Sequence, residues 1–261
     1  MRPTKIAFLL NTIGLSGGVG VIMKHALALN SVHGHEVTIV LTEGNGGDHW
    51  GFDELDSLEI TDLEAVHDRR FDIAIATWWG TARVLGEVHA DRHAYFVQSI
   101  EDRFYPPATI ERMLATQTYN LPVDYITEAR WIKDFLGQLN PDNSCQLVRN
   151  GIDKEIFSPA PPSTEAAPEA GASPPLKVLI EGHPDIPNKG VIEAVEAVGQ
   201  MSADYELTCI MPASSCEFKF PGDAKVIGPL DFQGMADAYR SNDVLVKLSR
   251  VEGMFGPPLE A

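Results

Sequence analysis

Short runs of β-branched and apolar residues alternate with longer amphipathic stretches from one end of this chain to the other, and no other feature limits its folds so sharply. When a strand recurs after every helix it runs parallel to its predecessor, because the helix carries the chain back along the sheet before the next strand begins. Ile6 to Leu10 reads as the first strand and Val37 to Thr42 as the second. Between them Val19 to Asn30 reads as a helix with apolar positions at Val19, Ile22, Ala26 and Leu29, broken by His33-Gly34-His35. Further strands are predicted at Asp72 to Ala76, Ala94 to Val97, Tyr125 to Thr127 and Gln146 to Val148, with helices over Ile110 to Gln117 and Ala129 to Leu139.

The pattern then stops and restarts. Ser158 to Pro175 is proline-rich, with Ala, Ser, Thr, Glu and Gly, too poor in apolar residues to bury a core and too rich in proline for a regular element. Beyond it strands are predicted at Lys177 to Ile180, Leu207 to Met211, Lys225 to Ile227 and Val244 to Leu248, with helices over Val191 to Met201 and Phe232 to Tyr239. The expected fold class is therefore α/β, with two Rossmann-like β-α-β domains over residues 1–157 and 176–261 joined by a linker over 158–175. The second domain is expected to be incomplete, because a doubly wound sheet buries its last strand on both faces and few residues follow Leu248.

A formal net charge of −17 argues against nucleic acid and anionic membranes as general partners, since both reward clustered Lys and Arg. An anionic ligand must then be held by local dipoles. Cys145, Cys209 and Cys216 are odd in number and lack metal-site spacing, which points to a reducing compartment and to no metal. The run Ile6 to Leu10 is shorter than a secretory core and no segment is long enough to span a bilayer, so the expected location is the cytoplasm.

Two stretches carry chemistry. The turn Asn11 to Gly20 follows a strand and opens a helix, so the amides around Gly17 and Gly18 can cradle a phosphate or approach a sugar. Its spacing is not G-x-G-x-x-G, yet Glu43 stands about where a dinucleotide domain keeps its ribose-binding acid, so an NAD-dependent oxidoreductase remains open beside a turn with no ligand. At the other end, Glu252 and Glu260 bracket Gly253-Met254-Phe255-Gly256-Pro257-Pro258-Leu259. The glycines let backbone approach a ligand, the prolines stiffen the loop, and Leu259-Glu260-Ala261 opens a helix whose first amides attract an anion.

Taken with the loop chemistry between them, this pair resembles the E-x7-E signature of retaining GT-B glycosyltransferases of family four. Arg149-Asn150-Gly151-Ile152-Asp153 followed by Phe157-Ser158-Pro159 resembles the hinge between that family's two domains. Glu181-Gly182-His183 through Asn188-Lys189-Gly190 is similar to the first loop of its nucleotide-binding half. Ala76 to Ala82 and Ala94 to Glu101, with Phe104-Tyr105-Pro106, further resemble a branch that includes rhamnosyltransferases of surface polysaccharide assembly.

The resemblance implies transfer of a hexosyl or deoxyhexosyl group from a nucleotide diphosphate sugar to a glycan, lipid-linked or other hydroxyl acceptor, with retention of anomeric configuration. No metal or resident cofactor is implied, and the acceptor would be met in the cytoplasm or peripherally at the inner membrane. By the same resemblance Glu252 faces the donor sugar, Lys189 is the cation on the diphosphate, and Glu260 binds the ribose. Gly253, Phe255, Gly256 and His183 complete the donor side, and Gly17, Gly18, Gln98, Glu101 and Trp79 line the acceptor side of a cleft. His183 stands where the family often has an arginine, and Gln98 is the nearest match to its N-domain histidine.

Plainer readings stay open: Lys189 as an exposed turn lysine, Glu260 as an acid favoured by a helix dipole, and Trp78 and Trp79 as packing. At the level of function, a sugar-nucleotide epimerase and a non-catalytic nucleotide- or glycan-binding remnant stay open beside the NAD-dependent oxidoreductase.

Overall fold

The computed structural model describes residues 2–14, 16–44, 55–159, 174–212 and 216–261. Leu15 of the glycine-rich turn and residues 160–173 of the expected linker lie outside the described residues. The chain divides into two compact units, Met1–Asn150 and Gly151–Ala261.

The first unit contains β1 (Lys5–Leu10), α1 (Gly17–Leu27), β2 (Glu36–Leu41), β3 (Glu59–Asp62), β4 (Arg70–Ala76), α2 (Trp79–Val84), β5 (His89–Val97), α3 (Ile110–Thr118), β6 (Asp124–Thr127), α4 (Arg130–Leu139) and β7 (Cys145–Leu147). The strands form one parallel sheet in the order β3-β2-β1-β4-β5-β6-β7. Successive crossovers lead outward from β1 to β3, and the chain then returns to the other side of β1 with β4. The C-terminal ends of β1 and β4 therefore flank a topological switch point, where α/β sheets open a crevice for ligands.

Alternation along the strands serves both faces. Ile6, Phe8 and Leu10 point with Ile39, Leu41 and Ile75 toward Ile22, Met23 and Ala26 of α1, whereas Ala7 and Leu9 join Tyr95, Val97, Ile132 and Leu136 on the opposite side. Ser16 caps α1 by accepting from the Val19 amide at 3.2 Å. That helix ends earlier than expected, at Leu27, and widens into a π-type turn over Ala28–Val32 before Gly34 (φ 69°) reverses the chain.

Strand β5 is longer than expected because its polar first half is carried by register and ion pairs rather than by burial. Arg70 pairs with Asp91 and Arg92 with Asp124 across neighbouring strands. The edge strand β3 and the six-residue α2 have no clear periodicity, and local pattern does not announce them.

The second unit contains β8 (Leu176–Glu181), α5 (Val191–Val198), β9 (Tyr205–Ile210), β10 (Lys225–Ile227), α6 (Phe232–Arg240), β11 (Val244–Val246) and α7 (Pro257–Glu260). Its parallel sheet has the order β10-β9-β8-β11, so a second switch point falls between β8 and β11. One face packs Val178, Ile180, Leu207 and Cys209 on α5. The other packs Leu179 and Ile210 on Ala236, Ala238 and Tyr239 of α6.

Residues 151–157, expected to close the first domain, belong instead to the second unit. Asp153 turns the chain by accepting from the amides of Glu155 and Ile156, and Phe157 is buried against the second core, 6.1 Å from the Tyr239 ring. Apolar residues at 152, 156 and 157 are the reason: they need a core, and the second sheet offers one. Asn150 stays with the first unit through hydrogen bonds to Glu128 and His25.

Leu9 is fully buried in the central strand of the first sheet. Leu9→Ala is expected to cost about 2–5 kcal/mol. Urea denaturation of the two proteins checks it, through a lower midpoint at unchanged slope.

Candidate functional site

The second switch point gathers most of the residues expected on the donor side. Gly182 (φ 137°) leaves the end of β8, and its amide donates to the Ile210 carbonyl at 3.0 Å. The turn then folds on itself: the Ile186 amide donates to the His183 carbonyl at 3.1 Å, and the Lys189 amide to the Ile186 carbonyl at 2.9 Å. Nδ1 of His183 accepts from the Asp185 amide at 3.2 Å, so Nε2 is the protonated nitrogen of the neutral ring. Gly190 starts α5 in the left-handed region (φ 64°), with its Cα so close to the chain after β11 that a Cβ would collide with the Leu248 carbonyl. The two segments are further tied by the Arg250 amide, which donates to the Asn188 carbonyl at 2.8 Å.

Lys189 is thereby carried to Glu252, 63 positions later: its ammonium donates to Oε1 at 2.9 Å, and both side chains are partly exposed. Gly253, Phe255 and Gly256 follow in a half-buried loop that leads into α7. Glu260 sits in that single turn, with its amide on the Gly256 carbonyl at 3.0 Å and its carboxylate 3.5 Å from the Tyr239 hydroxyl. Burial first, then the Glu260 charge, push the Tyr239 phenol well above its ordinary range, so it remains a donor.

A second ion pair at this switch point escapes the sequence motifs. Val246 of β11 lies opposite Ile180 of β8, so the next residues, Lys247 and Glu181, meet. The Lys247 ammonium donates to the Glu181 carboxylate and, at 2.9 Å, to the Glu181 carbonyl, with its side chain almost wholly buried. The signal available was a lone lysine interrupting the apolar run Val244-Leu245-Val246-Lys247-Leu248.

The expected acceptor-side residues belong to the first unit and sit around the C-terminal ends of its strands. Gly18 lies in the first turn of α1, where the Gln98 amide donates to its carbonyl at 3.3 Å; a Cβ on Gly18 would touch that side chain, whereas one on Gly17 would meet open space. Glu101 is buried. It accepts from the Trp79 amide at 2.7 Å, holding the N-terminus of α2, and from the Tyr95 hydroxyl at 3.0 Å. Trp79 is buried as well, with its indole N–H on the Tyr105 hydroxyl at 3.0 Å. Ser99 Oγ and Asp102 Oδ1 are buried nearby in sequence without hydrogen-bond partners among the described residues.

Burial pushes the Glu101 carboxyl up to about 8, against the two hydrogen bonds that favour its charged form. Among the described residues no three His, Cys, Asp or Glu side chains gather as a metal site would require. Burial also raises the Cys209 thiol to about 12 and raises Cys145, so neither is an activated nucleophile.

No protein-family profile matches the chain, and no curated protein does. Solved structures do. Sucrose-phosphate synthase from Thermosynechococcus elongatus superposes with a TM-score of 0.70 at 12% identity, over 98% of this chain and 78% of that one. HepE from Anabaena, in complex with UDP-glucose, gives 0.65 at 13% identity over 94% and 74%. The catalytic domain of starch synthase IV from Arabidopsis thaliana, bound to ADP and acarbose, gives 0.59 at 12% identity over 99% and 81%. The fold is that of these GT-B glycosyltransferases: two α/β units, each built on a parallel sheet.

The buried acid gives a prediction with a definite sign. An exposed glutamate ionises near 4.5 and Glu101 in the fold at about 8. Between those values the folded state keeps a proton that the unfolded chain has lost, so its contribution to stability falls as pH rises and levels off above about 8. Glu101→Gln, which can still accept from the Trp79 amide, should flatten that part of the pH profile, as read by urea denaturation between about pH 4 and pH 9.

Proposed function

We propose that this chain is a nucleotide-sugar-dependent glycosyltransferase whose donor is held by the second unit. The observation that carries the reading is the meeting of Lys189 and Glu252 at 2.9 Å beside the β8/β11 switch point, within a GT-B fold. Two motifs distant in sequence are brought together where α/β sheets bind ligands. Solved structures of the same fold include complexes with UDP-glucose and with ADP, which favours a nucleoside diphosphate leaving group.

Chemically, the anomeric carbon–oxygen bond to the diphosphate breaks with its electron pair going to the diphosphate oxygen. The acceptor hydroxyl oxygen bonds the anomeric carbon, and its proton passes to the departing diphosphate. Negative charge grows on that group, so a cation and backbone amides placed beforehand lower the barrier. Lys189 takes that role, with the amides of Phe255 and Gly256 as further donors; Pro257 and Pro258 have no N–H, and the Leu259 amide is used on the Gly256 carbonyl at 2.8 Å. Glu252 is its counter-ion in the free protein and faces the donor sugar, and Glu260 binds the ribose hydroxyls. Retention, membership of family four and transfer of a hexosyl or deoxyhexosyl group onto a glycan or lipid-linked acceptor rest on the resemblance of the motifs. That resemblance also puts the protein in the cytoplasm, peripherally at the inner membrane where the acceptor is lipid-linked, within polysaccharide assembly. Among the described residues no helix is long and apolar enough to cross a membrane. The reading calls for no metal, since lysine and amides meet the charge.

The first test is a calorimetric panel of UDP, GDP, dTDP, ADP and NAD. Saturable binding of a nucleoside diphosphate without NAD is expected; binding of NAD alone would favour a dehydrogenase, and binding of none would sink the transferase. Lys189→Ala should lower transfer by about 100-fold or more, as expected when a charge-stabilising donor is lost. Rates within a few-fold of the parent in a folded protein would remove Lys189 from the site. Glu260→Ala should weaken nucleotide binding by about 1.5–3 kcal/mol; unchanged affinity would assign Glu260 to the α7 turn and to Tyr239 instead.

A further inference from the structure

We propose that Lys247 is a second cation of the donor site, presenting its remaining N–H to the diphosphate beside Lys189; the inference rests on the transferase reading above. Lys247 follows the last residue of β11 and Glu181 is the last of β8, so the pair stands on the switch point itself. Among the described residues two of the three ammonium hydrogens are used, both on Glu181, and the side chain is 4% exposed. A buried ammonium with a hydrogen to spare is completed by an acceptor from a ligand or water.

Gly182 brings the turn after β8 directly against the Lys247 ammonium. A Cβ there would lie 3.0 Å from Val191 Cγ2, 3.4 Å from Lys189 Cβ and 3.5 Å from Lys247 Nζ, so only a glycine lets the turn that carries Lys189 pack this closely on the Lys247 ammonium. Gly182 also has φ 137°, which an L side chain rarely adopts, so the close approach is kept by backbone conformation as well as by size.

The fold itself gives little reason for a lysine here. Glu181 is partly exposed at a strand end and does not require a buried partner, and an apolar pair serves packing as well as a buried ion pair or better. For an anionic ligand in a chain of net charge −17, a cation with a donor to spare meets a need that packing does not.

The experiment titrates whichever of UDP, GDP, ADP and dTDP the parent binds most tightly, and the matching nucleoside, into the parent, Lys247→Met and the double variant Lys247→Met/Glu181→Gln. The double variant leaves no carboxylate without its partner and keeps the test alive if the single variant fails to fold. Diphosphate affinity is expected to fall about 10-fold or more in the folded variants, the loss of one charged hydrogen bond, while nucleoside affinity stays within about twofold. Equal losses for both ligands would make Lys247 merely structural, and unchanged diphosphate affinity would remove it from the site. A parent that binds no nucleoside diphosphate would overturn the transferase reading itself, a result distinct from either.

Discussion

A parallel ladder forces each crossover to leave the sheet at one edge and rejoin it at the other, so the C-terminal ends of all strands in a unit collect along a single edge. The residues proposed to hold the donor depend on that constraint. Glu181 and Lys247 meet because β8 and β11 run side by side in a register that sets Ile180 opposite Val246. Lys189 reaches Glu252 because the β8–α5 turn and the chain after β11 start from the same edge, close enough for the Arg250 amide to donate to the Asn188 carbonyl. A one-residue slip of β11 would turn its apolar residues to the wrong face and part both pairs.

The charges at this edge are paired in advance. Lys189 with Glu252 and Lys247 with Glu181 leave each lysine beside a carboxylate, so the resting site carries little net charge despite two cations. On the proposed transferase reading an incoming diphosphate would compete with Glu252 for Lys189, where both partners are partly exposed and the exchange costs little desolvation. Lys247 differs because its ammonium is buried on Glu181, and in the proposed role a ligand would add to those bonds rather than displace them. In the proposed site such a division would let one lysine select for negative charge through exchange and the other through a fixed position.

The first unit uses its buried acid for architecture. Glu101 accepts the first amide of α2, a helix of only six residues that has little stability of its own, and thereby fixes the aromatic cluster of Trp78, Trp79 and Tyr105. The hydrogen bond from the indole of Trp79 to the Tyr105 hydroxyl extends the network outward, so burial of one carboxyl governs how this end of the strands is presented.

Residue chemistry that acts within a few positions was legible in the sequence. Ile6 to Leu10 and Val37 to Thr42 are near-continuous apolar runs, as strands buried on both faces require, Gly34 ends the first helical region, and the restart of the pattern after Pro175 announces a second parallel sheet. The association of Lys189 with Glu252 could be drawn only through family motifs, since nothing local links positions 63 apart. Tertiary structure alone decided that Phe157 leaves the first domain for the second core, that Glu101 is buried and holds its proton to about pH 8, and that Lys247 meets Glu181. The physical reason is common to all three. Periodicity is set by neighbours along the chain, whereas burial and pairing are set by sheet register and by which core lies nearest, and both come into being only when distant strands dock.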